Sequence, residues 1–289
     1  MTMLRQLFVI AMAALVLSVP ARAQPPWQPP RTPDGQPDMQ GIWQNDTFEM
    51  VAALLSLEGD HSRWPAEFII DQDPATATPQ PPQWPTYIID PPEGKIPYQS
   101  WAVAKRQEFI ANMLAPTKRE HLDPNARGLL LGVPRVNHMP PPFQVLQVPG
   151  YVVLLYEANH GYRVIPLDDR PHVGESITLF NGDSRGRWEG NTLVVNVTNQ
   201  NDRTWLDWLS FHGEGLRVVE RWTPVGPDRI EYRATLTDPT MFTRPWTIAY
   251  GFYREKTEGF EILEDTRIEG ERDAERMLRG GGLAGRRKE

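Results

Sequence analysis

Six histidines, His61, His121, His138, His160, His172 and His212, are the side chains here suited to exchanging a proton near neutral pH. The richest surroundings belong to His212, in NDRTWLDWLSFHGEG (Asn201–Gly215), where Asp202 opens the stretch and Glu214 follows between glycines. A histidine within reach of a carboxylate can act as general base or acid. In EANHGYR, His160 and Arg163 border a strand turn with Glu157 beside them. A third concentration is NGDSRGRWEGNTLVV (Asn181–Val195), which carries Asp183, Arg185, Arg187 and Glu189. The chemistry these types suit is cofactor-free proton transfer: isomerisation, elimination or hydration. His212 or His160 would be the acid or base, oriented by Asp202, Glu189 or Glu214. Arg163 or Arg187 would stabilise developing negative charge. Arg185, Glu214, Trp205 and Tyr232 complete the expected substrate-binding set.

Other chemistries are disfavoured or excluded. The chain has no cysteine, so thiol catalysis, iron–sulfur clusters, thiolate zinc sites and disulfides are ruled out. No pair of histidines shows the His-x-x-x-His or His-Glu-x-x-His spacing of a compact zinc site, and no metal is expected. Three ligands from separate strands, for instance His160, His172 and Asp202, remain an arrangement that spacing cannot predict. Ser184 stands in Gly182-Asp183-Ser184-Arg185-Gly186, which has the letters of a nucleophile elbow. It opens a strand pattern that leads into a second strand rather than the strand–turn–helix of a serine hydrolase, so that chemistry is disfavoured. Gly-rich phosphate loops are missing and no cofactor is expected. A formal charge of −7 offers no footprint for nucleic acid or anionic lipid.

Particular elements must position these groups. Residues 1–23 read as an export signal: Arg5, the apolar run Leu7–Val19, and Ala21-Arg22-Ala23 as cleavage site. The expected location is therefore periplasmic or secreted, without membrane insertion after cleavage. Residues 24–97 hold about half of the 29 prolines and read as an extended strap with turns, pinned by some of Trp27, Trp43, Trp64 and Trp84. From 98 to 268 a helix precedes an antiparallel β domain. The helix covers Tyr98–Ala115, with Ser100 as N-cap, Trp101, Lys105, Phe109 and Met113 along one side, and Val103, Ile110 and Leu114 broadening it. After Pro142 the hydrophobic period is two. Segments FQVLQV, YVVLLYEA, GYRVIPL, SRGRWE, TLVVNVT, LRVVERWT, RIEYRATLT, PWTIAYGFYRE and GFEILEDTRI give about nine strands. Residues 269–289 form a charged, Gly-rich tail. The fold class that follows is mainly β: an antiparallel β-barrel or strongly curved, lipocalin-like sheet, with the strap and one flanking helix.

Gly190-Asn191 is a two-residue turn signal. It pairs Glu189 with Thr192, Trp188 with Leu193, Arg187 with Val194 and Arg185 with Asn196. Trp188, Gly186, Leu193, Val195 and Val197 then share one face, and Asp183, Arg185, Arg187, Glu189, Asn196 and Thr198 the other. That charged stripe is either the wet face of the sheet or the lining of an enclosed lumen. In LRVVERWTPVGPDRIEYRATL a four-residue loop Val225–Asp228 would set Glu220 opposite Arg233 and Arg221 opposite Tyr232. Arg221 would then lie among aliphatic residues and need a partner. Asp202 would cap a short helical turn carrying Trp205, Leu206 and Leu209.

RTPDGQPDMQGIW (Arg31–Trp43), LGVPR (Leu131–Arg135), LYEANHGYRVI (Leu155–Ile165), DRPH (Asp169–His172), GDSRGRWEGNTLVV (Gly182–Val195), NDRTWLD (Asn201–Asp207) and DPTMFTRPWT (Asp238–Thr247) occur in this order. In these segments the chain resembles a large family of exported, mostly uncharacterised bacterial proteins. The resemblance implies export and no particular reaction. The family pattern carries a cysteine where Gly128 stands and another near Arg267. Their joint absence here suits a dispensable disulfide better than a catalytic thiol.

Three functions fit. One is an acid–base enzyme acting on a small, largely apolar molecule in an internal pocket. A second is a lipocalin-like carrier, and a third is a structural envelope protein. Oligomeric state is open.

Overall fold

A computed structural model describes residues 27–45, 57–58, 86–113, 115–138, 142–265, 275 and 278–279. The expected export signal, His61, Trp64, Trp84, Leu114 and most of the charged tail lie outside the described residues.

In chain order the strands begin with β1 (Gly41–Gln44) and β2 (Ile88–Asp90), followed by helix α1 (Ser100–Asn112). Then come β3 (Phe143–Val148), β4 (Tyr151–Tyr156), β5 (Tyr162–Pro166), β6 (Asp183–Glu189) and β7 (Thr192–Thr198). A short hairpin, β8 (Trp205–Asp207) and β9 (Ser210–Phe211), precedes the long strands β10 (Arg217–Gly226), β11 (Arg229–Thr237) and β12 (Trp246–Arg254). The sheet runs β5-β4-β3-β1-β12-β11-β10-β7-β6, antiparallel throughout, and curls into a nearly closed barrel with β2 paired to the start of β12.

Eight of the nine expected strands form. The ninth does not, because residues 259–265 carry no strand. Its place in the ring is taken by β1, from the segment expected to be strap rather than sheet, which lies between β3 and β12. Trp43 is buried there, donates its indole N–H to Met39 O at 2.9 Å and lies under the Arg254 guanidinium. A buried tryptophan with a satisfied N–H outweighs the short length of GIWQ.

An antiparallel sheet of nine strands leaves its two end strands, β5 and β6, parallel. A parallel pair requires a long return connection, which residues 167–182 supply. No ladder joins β5 to β6. Side chains bridge this seam instead: Arg163 Nη2 donates to Ser184 Oγ at 3.0 Å. Farther along, Gly186 lets Ile165 and Leu167 close over it, since a Cβ there would sit 2.7 Å from Ile165 Cγ2.

The β6–β7 hairpin has the expected register throughout, Glu189 opposite Thr192 and Arg185 opposite Asn196. The β10–β11 pair does not. Its turn is tighter, with Gly226 opposite Arg229 and a register shift between Pro224 and Gly226, so Glu220 faces Ala234 and Trp222 faces Tyr232. That one-residue slip exchanges the faces of β11 relative to β10. Glu220, rather than Arg221, is enclosed.

Helix α1 has no side-chain cap from Ser100, and its N-cap is Gln99. Its core-facing side holds Ala102 and, from the expected stripe, Phe109, Ile110 and Met113, while Trp101 is 52% exposed and Val103 45%, so the stripe is rotated away from those two. Phe109 stacks on Trp205 (5.4 Å between centroids) and meets Phe211 edge-on at 5.3 Å. Beside them Arg106 Nη1 pairs with Glu58 Oε2 at 3.0 Å, and Asp207 Oδ2 accepts the Leu57 N–H at 2.7 Å. Burial pushes the Asp207 carboxyl up to about 6 against the pull of Arg106. The folded chain thus holds this proton more tightly than the unfolded chain. The stability it contributes is full below pH ~4 and is lost as pH rises through about 6, on the order of 2–3 kcal/mol. Urea midpoints should therefore show Asp207→Asn gaining on the wild type by about that amount across the same window. A gap between the two proteins that ignores pH would refute the assignment.

Candidate functional site

The charged stripe is the outer face of the barrel. Arg187 and Glu189 are 49% and 41% exposed and pair at 2.6 Å, and Arg221 joins Glu189 at 2.9 Å. Hydrogen bonds from Arg221 and Arg187 hold Glu189 below the usual carboxylate range, so it is no proton donor. Arg185 acts as a staple: it pairs with Asp183 at 2.7 Å and donates to the carbonyls of Arg170 and Pro171, fixing the return connection to β6. Glu189, Arg187 and Arg185 thus lose their expected lumenal roles, because the apolar side of the hairpin is the one that turns inward.

The lumen is packed. Trp43, Phe143, Trp222, Tyr232 and Phe252 are fully buried within it. Tyr232 and Arg163, both expected to bind substrate, belong to a structural cluster around Glu220. Arg163 Nη1 donates to Glu220 Oε1 at 3.1 Å and its Nη2 to Oε2, while Tyr232 and Asn137 donate to Oε1 at 2.9 and 2.7 Å. Burial opposes the Arg163 charge, but the facing Glu220 carboxylate and Tyr156 together more than offset this and raise its affinity for the proton. Burial likewise pushes the phenols of Tyr156, Tyr232 and Tyr250 upward, so they stay protonated donors.

His212, the leading base from sequence, has both ring nitrogens committed. Nδ1 donates to Gly213 O at 2.8 Å, a partner that can only accept, so Nε2 is the acceptor facing Thr204 Oγ1 at 2.7 Å. Burial lowers its affinity for a second proton despite Gly213 O and Asp238. It is a neutral core histidine. The flanking glycines make room for Asp238, not for a ligand: Gly213 N–H donates to Asp238 Oδ2 at 3.2 Å, and a Cβ on Gly215 would lie 3.0 Å from Oδ1. Trp205 is buried beneath α1. The expected helical turn is the β8–β9 hairpin, opened by Asn201, which accepts the Arg203 N–H at 3.0 Å, rather than by Asp202.

What remains of the expected set gathers elsewhere. A cleft of about 880 Å³ opens at the start of the seam between β5 and β6, under the end of the return connection. His160, Asp202 and Glu214 line it, and Arg163 reaches it while bound to Glu220. Leu129, Leu130, Val164, Leu179 and Phe180 give it an apolar wall. Asn159 and His160 both stand in the left-handed region (φ 51° and 40°). Asn159 tolerates that conformation because its side chain ties to Leu129 O at 2.9 Å, and the two residues turn the chain into the cleft.

The sequence does not single out Asn159 or Asn181, and it places Asp183 in the charged stripe and His172 among possible metal ligands without pairing the two. His172 Nδ1 lies 2.7 Å from Asp183 Oδ2, which also accepts the Val173 N–H at 3.2 Å, and Asp183 lines the cleft. The available signals were Asn-His-Gly and Asn-Gly-Asp, both turn-forming triplets. Among the described residues no group of three or more histidines and carboxylates is arranged to hold a metal ion, so His160, His172 and Asp202 do not converge as one. No helix among them is long and apolar enough to cross a membrane. Comparison with family models, curated proteins and solved structures finds no match, so the reading of the cleft rests on its own residues.

Proposed function

We propose that this is an exported small-molecule-binding protein whose site is the seam cleft rather than the barrel lumen. The observation that carries the reading is convergence. Asn159, His160, Asn181, Asp202 and Glu214, from four separate loops, meet an apolar wall where the ladder of the sheet is interrupted. A concave site with mixed walls and a few convergent polar groups is the usual form of a ligand pocket. The expected partner, small and largely apolar, fits the wall, and the polar groups would orient it. Export, a periplasmic or secreted location and kinship with the exported bacterial family belong to the same proposal, supported by the N-terminal pattern and the shared motifs.

A second reading, acid–base turnover without a cofactor, is favoured by the His172–Asp183 dyad, whose Asp183 lines the cleft with His172 behind it. The carboxylate holds Nδ1 and leaves Nε2 as the exchanging atom.

Native mass spectrometry of protein taken from its own periplasm tests both. The mature chain should begin at Gln24 and retain a small molecule. Gly161→Leu should lose it, because a side chain at Gly161 starts 3.7 Å from Asn181 Nδ2, inside the cleft. Protein without retained mass, or mass equally retained by Gly161→Leu, would overturn the binding reading. Under the second reading His172→Asn keeps the molecule and no longer transforms it, whereas unchanged turnover removes the dyad from the mechanism.

A further inference from the structure

Two buried amides in the cleft are each half used. Asn159 and Asn181 are 2% and 7% exposed. Backbone partners fix how each is turned. Leu129 O can only accept, so Asn159 presents Nδ2 to it at 2.9 Å, with Asn125 Oδ1 at 3.1 Å. Gly132 N–H can only donate, so Asn181 presents Oδ1 to it at 3.2 Å. Asn159 Oδ1 and Asn181 Nδ2 are left, both buried and without a protein partner. Buried polar groups are rarely unpaired, and the two residues that carry these atoms line one cleft.

We propose, building on the seam cleft as a binding site, that its ligand class is the neutral carboxamide or lactam on an apolar body. Asn181 Nδ2 donates to the ligand carbonyl and Asn159 Oδ1 accepts from the ligand N–H. Leu129, Leu130 and Phe180 cover the hydrocarbon part. A carboxylate would supply no donor to Asn159 Oδ1. An ammonium would supply no acceptor to Asn181 Nδ2.

Isothermal titration of the mature protein with hexanamide, hexanoate and hexylamine tests the class, because the three share a tail and differ only at the head. Hexanamide should bind at one site that Gly161→Leu abolishes. Asn181→Asp keeps the acceptor for Gly132 N–H and, ionised, removes the donor, so at neutral pH it should weaken hexanamide by about tenfold or more, beyond any lowering of the unfolding temperature that the buried charge brings. Asn159 also ties down the Leu129 loop, so the head-group series and Asn181→Asp carry the test. Hexanoate or hexylamine binding as tightly in the cleft overturns the amide class and keeps the cleft as a site, and so does hexanamide binding indifferent to Asn181→Asp. If none of the three binds while a retained native molecule is still lost in Gly161→Leu, the class alone fails. If neither is seen, both proposals fall.

Discussion

Replacing Arg163 by methionine should destabilise the barrel by about 3–5 kcal/mol, the cost of leaving a buried charge without its partner. Glu220 has no exposed surface and accepts from Arg163, Tyr232 and Asn137. Methionine fills comparable space but returns nothing to the carboxylate. The loss should be partly repaired by a second change, Glu220→Gln, which still accepts from Tyr232 and Asn137 while removing the charge. The double variant should recover at least about 1 kcal/mol relative to Arg163→Met alone, as expected when two groups in one network couple. Urea unfolding of the wild type, both single variants and the double variant measures this. Were Arg163 chiefly a ligand contact, Arg163→Met would abolish binding and leave the urea midpoint nearly unmoved, and that result would end the structural assignment. The position of the pair also explains its use: Arg163 closes a seam that has no backbone ladder, reaching Ser184 on β6 and Glu220 on β10 together.

Trp222→Ala should cost a similar amount, about 3–5 kcal/mol, for a different reason. Trp222 stacks on Phe252 at 5.0 Å and meets Tyr232 and Phe143 edge-on at 4.8 and 5.9 Å. Its indole nitrogen has no partner, so truncation breaks no hydrogen bond and the loss is one of packing and transfer. The void left among aromatic rings should stay dry and accept an apolar guest. Added indole should then raise the unfolding temperature of Trp222→Ala and leave that of the wild type unchanged. An equal rise in the wild type, traced to the lumen, would mean that the barrel interior has room for cargo and would restore the lipocalin-like carrier. A guest that enters only the variant places natural binding outside the lumen.

Alternation of apolar and polar residues determined eight strands from the sequence alone, and the Gly190-Asn191 turn determined the β6–β7 register, because a two-residue hairpin fixes pairing locally. Alternation also separated the charged stripe from the valine face, but two faces carry no label for inside and outside. That label comes from the curl of the whole sheet, which buried Leu193, Val195 and Val197 and left Arg187 and Glu189 in water. Three further outcomes were decided only by tertiary structure. A bulge in the β10–β11 hairpin turned Glu220 inward. Docking of Trp43 drew GIWQ into the ring. Closure of an odd number of strands left a parallel seam, and the cleft opens there. Each depends on contacts between residues far apart along the chain, whose energy appears only once the sheet has closed. Histidine and carboxylate types could therefore be read early, while the partners that commit His212 to the core and bring Asn159 to Asn181 could not.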